Sequence, residues 1–499
     1  MRRKGDRRAA GQLHAEFDES FDATAQGGAV LAERAMRSLG VRRMIGKHLG
    51  NRSEAARITM GDGVYAMMAG MLLGGKGHQV CERLREDAAL QEIFSLAQAP
   101  SSPTVYRILC ELAGLPEREE ALCTEPCGPR MAALDMLGRE QTPRRLRKVV
   151  PAQPEAAGAE SLRAFEAFEA AVAAACAARL HRRVLSVSDW YVVFGDATDL
   201  EVEGDCFDAA RVGRDGRKLL RWLTLMLGPV TVAQHLCAGN TDEGVAMPAV
   251  LQRGGATVRK IIGRCKRVLA LLDAAYYERL VVDALVWDFI VCANQQRDSL
   301  RRMAEEREAS SWEECGPDAS RGWAQSQVCC FTHLPEEWKK PVTIIARRWR
   351  EDGELPGMWH YSFVATRIEP WNLPEDLRKY GYCQAIWMLY GTKQGRENHY
   401  KTPLRDFALH HPPSGRLGVD QAYYALATAA SNVAMVMRYA TLPASERGME
   451  FWRLRERYFA IAGYVVRTGR RLTVYLAGAN VESHRQVLWR EAFAAAGQL

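Results

Sequence analysis

Hydrophobic and polar positions change period several times along the chain, and the changes divide it. Between residues 30 and 115 the apolar positions recur at helical spacing. The stretch 61–73 is apolar on such a period and stops at Gly74-Gly75, a second helix fits 79–85, and a third follows Pro100-Ser-Ser-Pro103. A serine N-cap and a proline in the first turn make that last start a strong one. Residues 115–150 are rich in Pro, Arg and Glu and read as a linker, after which the Ala- and Glu-dominated stretch 154–180 predicts another helix. From residue 184 the pattern becomes that of strands: 184–198, 218–227 and 231–237 are short β-branched and aromatic runs bounded by glycine-containing turns. A helix from Thr241, running through 250 and resuming to 265, a strand over 267–272, a helix over 278–284 and a strand over 289–293 complete the group. Three strands in a meander, then helix, strand, helix, strand, predict a mixed sheet covered by helices.

Beyond residue 300 this alternation is interrupted. A highly charged segment, 301–314, precedes strand-like runs at 327–332, 342–350 and 359–368, and seven of the chain's 12 tryptophans lie between Trp312 and Trp387. Those rings would either fill the core of a small β sandwich, the weightier reading, or stack on unpaired bases. Helical spacing returns over 390–401 and in the Ala-rich 420–439. The segment 453–471 is basic on one side and apolar on the other, and 472–476 suits a terminal strand.

Where the strand runs end, they end in acids. The run from Trp190 stops at Asp196-Ala-Thr198-Asp199, and the run from Arg267 stops at Asp273. Asp196 either caps a turn or serves chemistry. In the expected sheet it and Asp273 can be neighbours, and two carboxylates side by side repel unless a cation or a proton holds them. Oxygen ligands with neither cysteine nor histidine suit Mg²⁺, with Mn²⁺ as the substitute. Tyr390, Lys393, Glu397 and Lys401 are spaced three, four and four apart, so a helix would place them on one face. That stripe is either a solvated ion-pair ladder or a third acid set between phosphate-gripping lysines.

Composition changes this picture little. The 499 residues suffice for about three domains. A net charge of +7 favours a polyanionic partner mildly, with basic blocks at 1–8 and 144–148. The 13 cysteines form no CxxC pair, which argues against zinc and for a reducing cytoplasm, and no apolar run is long enough for a bilayer.

Together these motifs resemble the DDE transposases of bacterial insertion sequences. Asp196-Ala-Thr198 is similar to the family's first-aspartate motif and Leu271-Leu-Asp273-Ala-Ala-Tyr-Tyr277 to its second. Tyr390-x-x-Lys393-x-x-x-Glu397 is similar to its Tyr, Arg, Glu signature. Asn398 and Lys401 fit the branch with Asn and then Lys after the glutamate. Leu73-Gly-Gly, Cys81-Glu-Arg-Leu-Arg-Glu-Asp87 and the basic Val465–Arg471 segment resemble the same branch. Two positions depart from it: the signature arginine is Lys393, and the lysine seven residues after the glutamate is Leu404, leaving Lys401 or Arg405 to serve.

The resemblance implies an α/β, ribonuclease-H-like mixed sheet with flanking helices, interrupted by a β-rich insertion and preceded by an all-helical DNA-binding region. The corresponding divisions are 1–125 for DNA ends, 126–183 for a linker and helix, and 184–300 for the first part of the catalytic core. Then come 301–385 for the insertion, 386–440 for the last part of the core with Glu397, and 441–499 for a basic subdomain. It further implies that Asp196, Asp273 and Glu397 hold two Mg²⁺ ions, with Tyr390, Lys393, Lys401 and Arg405 on DNA and Ser102, Thr104 and Arg107 reading it. The implied partners are double-stranded DNA, as element ends and target, and a second copy of the chain in that complex. A metal-dependent nuclease or resolvase, or a non-enzymatic DNA-binding protein derived from a transposase, remains the alternative.

Overall fold

The computed structural model describes residues 22–52, 56–117, 154–203, 207–213, 216–264, 266–294, 297–316, 318–355, 357–469, 471–478 and 481–499. The major elements, in chain order, are helices α1 (Val30–Ser38), α2 (Val41–His48), α3 (Met60–Leu72), α4 (Ser102–Ala113) and α5 (Ala159–Ala177), then strands β1 (Trp190–Glu201), β2 (Lys218–Leu227) and β3 (Val230–Ala238). Helix α6 (Glu243–Ile262), β4 (Val268–Leu272), β5 (Asp288–Cys292), β6 (Trp323–His333), β7 (Val342–Glu351) and β8 (His360–Thr366) follow. The chain ends in α7 (Tyr382–Lys401), α8 (Leu417–Val436), the hairpin β9 (Gly463–Thr468) and β10 (Arg471–Leu476), and α9 (Ser483–Ala496).

One mixed sheet organises the molecule, with its long strands in the order β3-β2-β1-β4-β5-β8-β7-β6. β1, β2 and β3 form an antiparallel meander, while β1, β4 and β5 run parallel. β8 then pairs antiparallel with β5, Val364 opposite Cys292, so the insertion prolongs the main sheet. This corrects the expectation of a separate sandwich filled by tryptophans. Trp323 and Trp349 instead stack on each other at 4.9 Å on neighbouring strands, and Arg348 lies over Trp312 and Trp359.

Alternation along the strands separates two apolar layers. Trp190, Val192 and Phe194 of β1, Leu269 and Leu271 of β4 and Ile290 of β5 pack under α7 with Ile386 and Leu389. Val193, Ala270, Leu272 and Val291 point the other way, into the larger core with Phe168 of α5, Val250 of α6 and Tyr424 of α8. Every residue of α8 is buried, its polar ones included: Asp420 accepts the Ser414 amide, and Gln421 and Asn432 donate to the Leu236 and Thr231 carbonyls. It touches α3, α4, α5 and β3, so the described N-terminal helices share the core of the sheet's helical layer. Asp208 accepts the Leu417 amide at 3.0 Å at the start of α8, and Arg416, buried beside it, pairs with Glu155 at 2.8 Å.

Two local expectations change. The 463–468 stretch, read as part of an amphipathic segment, is a strand whose partner is β10. The Ser102 cap shifts by one: Ser101 is the N-cap and Ser102 the first helical residue. Among the described residues no helix is long and apolar enough to cross a membrane.

Candidate active site

The site begins where β4 stops. Its parallel register with β1 ends at Gly195 opposite Leu272, so the next pair of positions is Asp196 and Asp273. β1 itself continues to Glu201 on β2, with Asp196 opposite Thr224, so Asp196 lies inside a strand and not at its end as expected. The loss of its β4 neighbour opens one side of the strand at this carboxylate. Asp273 keeps an extended backbone, φ −79° and ψ 173°, so the alternation runs on past the strand. Asp196 has the parity of Phe194 and Asp273 that of Leu271, which places both acids on the α7 side of the sheet.

Helix α7 crosses these strand ends in order. Tyr390 hydrogen-bonds the Cys292 thiol at the end of β5. One turn later the Lys393 ammonium lies 2.9 Å from Asp273 Oδ2, its side chain 5% exposed against 46% for Asp273. Further on, Tyr400 meets the Phe194 ring edge-on at 5.3 Å. Glu397 occupies the helical turn between Lys393 and Tyr400, hence between the crossing points on β4 and β1. Its side chain lies outside the described residues. Lys393, expected to position a phosphate backbone, is buried here against an acid.

Beneath the acids lies Tyr276, three residues after Asp273. It is buried, and its hydroxyl has no hydrogen-bond partner among the described residues. Burial pushes its ionisation far up, and the negative charges of Glu243, Asp196 and Asp273 add to the effect. On the other face, Arg221 binds Asp199 at 2.8 Å and Glu243 at 3.1 Å. Asp199 is thereby committed elsewhere, which leaves Asp196 as the acid of the pair facing α7.

These groups fit a hard divalent cation. The donors are carboxylate oxygens, they occupy adjacent positions where β4 ends beside β1, and a buried hydroxyl without a hydrogen-bond partner among the described residues lies near them. Among the described residues no three His, Cys, Asp or Glu side chains form a metal cluster, a set that omits Glu397.

The other candidate residues are dispersed. Lys401 is exposed on the last turn of α7. Arg405, also exposed, pairs with Glu450 at 3.2 Å. On α4, Arg107 pairs with Glu117 at 2.6 Å, the Ser102 amide donates to Glu82 at 3.3 Å, and the Thr104 hydroxyl lies 3.0 Å from that of Ser101. No ion pair or hydrogen bond among the described residues joins this group to the carboxylates. Sequence reasoning missed Tyr276 as part of the site, although it belongs to the same run as Asp273.

A family model described as "Transposase DDE domain group 1" matches residues 227–494. That span, more than half of the chain, contains Asp273, Lys393 and Glu397 and begins after Asp196. Among solved structures, the piggyBac transposase synaptic complex with hairpin DNA is similar at 9% identity, over 94% of this chain and 80% of that one, with a TM-score of 0.38. A similarity that low carries no argument. Comparison with curated proteins gives no match.

Proposed function

Because this chain belongs to the DDE transposase family, we propose that it cuts and rejoins DNA at the ends of its own mobile element, a bacterial insertion sequence. The observation that carries the reading is Asp196 and Asp273 in adjacent register on β1 and β4, crossed by the helix that bears Glu397. The order β3-β2-β1-β4-β5, with an antiparallel meander followed by parallel strands, supports a ribonuclease-H-like core.

In this reading Asp196, Asp273 and Glu397 hold two Mg²⁺ ions, or Mn²⁺ in their place. The bound cations would supply the charge that activates a water or a 3′-hydroxyl and steadies the leaving oxygen. The protein's own part is positional. Acids alone would repel a phosphodiester, so β1 and the end of β4 fix them for cations rather than for DNA directly. Lys393 keeps Asp273 oriented before metal arrives, a task an ammonium performs as a point charge without the fork of arginine. Lys401 and Arg405 supply exposed positive charge where α7 ends, for the phosphate backbone. Ser102, Thr104 and Arg107 on α4 read the terminal repeats, and two copies of the chain join the two ends.

The test is cleavage of a duplex carrying the element's inverted repeats. Asp196→Ala, Asp273→Ala and Glu397→Ala should each abolish Mg²⁺-dependent cutting and leave end binding largely intact. A mutant that still cuts at near wild-type rate removes that residue from the trio. Cutting without joined products would make the protein a nuclease instead.

A further inference from the structure

The opposite end of the parallel strands carries a second feature. Where β4 and β5 begin, a cavity of ≈ 800 Å³ is lined by Arg259, Lys260, Arg264, Lys266, Arg267 and Trp287. Five cations thus face one lining carboxylate, Asp288, and that acid is already taken: Arg267 binds it at 3.1 Å and the Trp190 indole donates to it at 2.6 Å. The positive field extends to α2. Burial and then the charges of Lys47 and Lys260 hold the His48 imidazole below its ordinary value.

The wall is rigid. Arg267 stacks on Trp190 at 4.2 Å, and Trp287 packs so closely on α6 that a Cβ on Gly255 would lie 3.2 Å from its ring. Arg259, Lys260, Arg264 and Lys266 are exposed, so clustering them around a concavity costs repulsion that a polyanion would relieve. The volume exceeds what one phosphate needs. β4 has five residues, so this pocket and Asp273 are separated by about 17 Å along the strand, too far to share one phosphate.

We propose that this pocket is a second, non-catalytic phosphate-binding site, which grips a stretch of DNA that the carboxylates do not cut. The identity of the polymer rests on the transposase reading; the affinity for consecutive phosphates does not. Holding DNA at both ends of the same strands would fix the duplex against the sheet from two sides.

The experiment uses the full chain in EDTA, so that binding is read without chemistry. The affinity of a fluorescent duplex of about 20 base pairs is measured against salt for wild type and for Lys260→Gln/Arg264→Gln/Lys266→Gln. Each cation on a phosphate adds about 0.9 to the slope of log affinity against log salt. The triple variant should therefore lose about two to three units of slope and bind about tenfold to a hundredfold more weakly near physiological salt. A charge-matched control, Lys339→Gln/Lys340→Gln/Lys379→Gln, should keep more of both. Equal losses in the two variants, or an unchanged slope in the first, would overturn the proposal. If tripolyphosphate binding is lost while duplex affinity stays at wild type, the pocket serves a small anion and the DNA assignment fails. Absence of metal-dependent cutting by wild type would instead remove the transposase reading and leave the slope difference standing.

Discussion

Lys393 and Asp273 form a pair whose two halves sit in different surroundings, so removing each should cost a different amount. The ammonium is 5% exposed and the carboxylate 46%. Asp273→Ala takes this carboxylate from a buried ammonium. Breaking a fully buried pair costs about 3–5 kcal/mol, and the wet side of this one reduces the expectation to about 2 kcal/mol. Lys393→Met keeps the apolar stem in place and leaves an acid that water can reach, which should cost at most about 1 kcal/mol. The assay is urea denaturation of both single variants and the double variant, without metal. The double variant should be no less stable than Asp273→Ala alone, because the buried charge that lost this carboxylate is then gone as well. Lys393→Met costing as much as Asp273→Ala, with additive effects in the double variant, would refute the pairing.

Two further outcomes follow from the placement of charge. Lys401→Gln should flatten the salt dependence of DNA binding by about one unit, whereas Lys393→Gln should leave it unchanged, as anisotropy titrations will read. Glu169 is buried in α5, where its carboxyl accepts from Gln234, which in turn accepts from Trp222; burial pushes its pKa up from 4.5 to about 8. With the folded value above the unfolded one, its contribution is complete below pH 4.5 and is lost as pH rises toward 8. Glu169→Gln should thus be the more stable protein at pH 8, with a flatter stability profile between pH 5 and 8; parallel profiles would show that the acid is not held neutral.

The juxtaposition of Asp196 and Asp273 was legible in the sequence because buried strands have a plain signature and both apolar runs stop at acids, although β1 itself continues past Asp196. The alternation of mixed parallel and antiparallel strands was legible for the same reason. What escaped depends on contacts distant in sequence. No local pattern announces that Val364 pairs with Cys292, and that pairing makes the insertion part of the main sheet. Helical spacing put Lys393, Glu397 and Lys401 on one face without revealing that Lys393 is buried on Asp273 while Lys401 reaches solvent. Leu73-Gly-Gly was readable as a helix stop, yet its second glycine answers to the turn that follows, which no residue pattern announced: a Cβ on Gly75 would lie 2.2 Å from the Val80 carbonyl oxygen.

The central claim is that Asp196, Asp273 and Glu397 together hold divalent metal. Manganese binding, followed by electron paramagnetic resonance in the presence of end DNA, tests it most directly. Wild type should take up roughly two Mn²⁺ per chain. Asp196→Asn, Asp273→Asn and Glu397→Gln should each bind fewer while still binding DNA. An unchanged stoichiometry and affinity in any one of the three would contradict the account at that residue, and in all three would place the metal, and the chemistry, elsewhere.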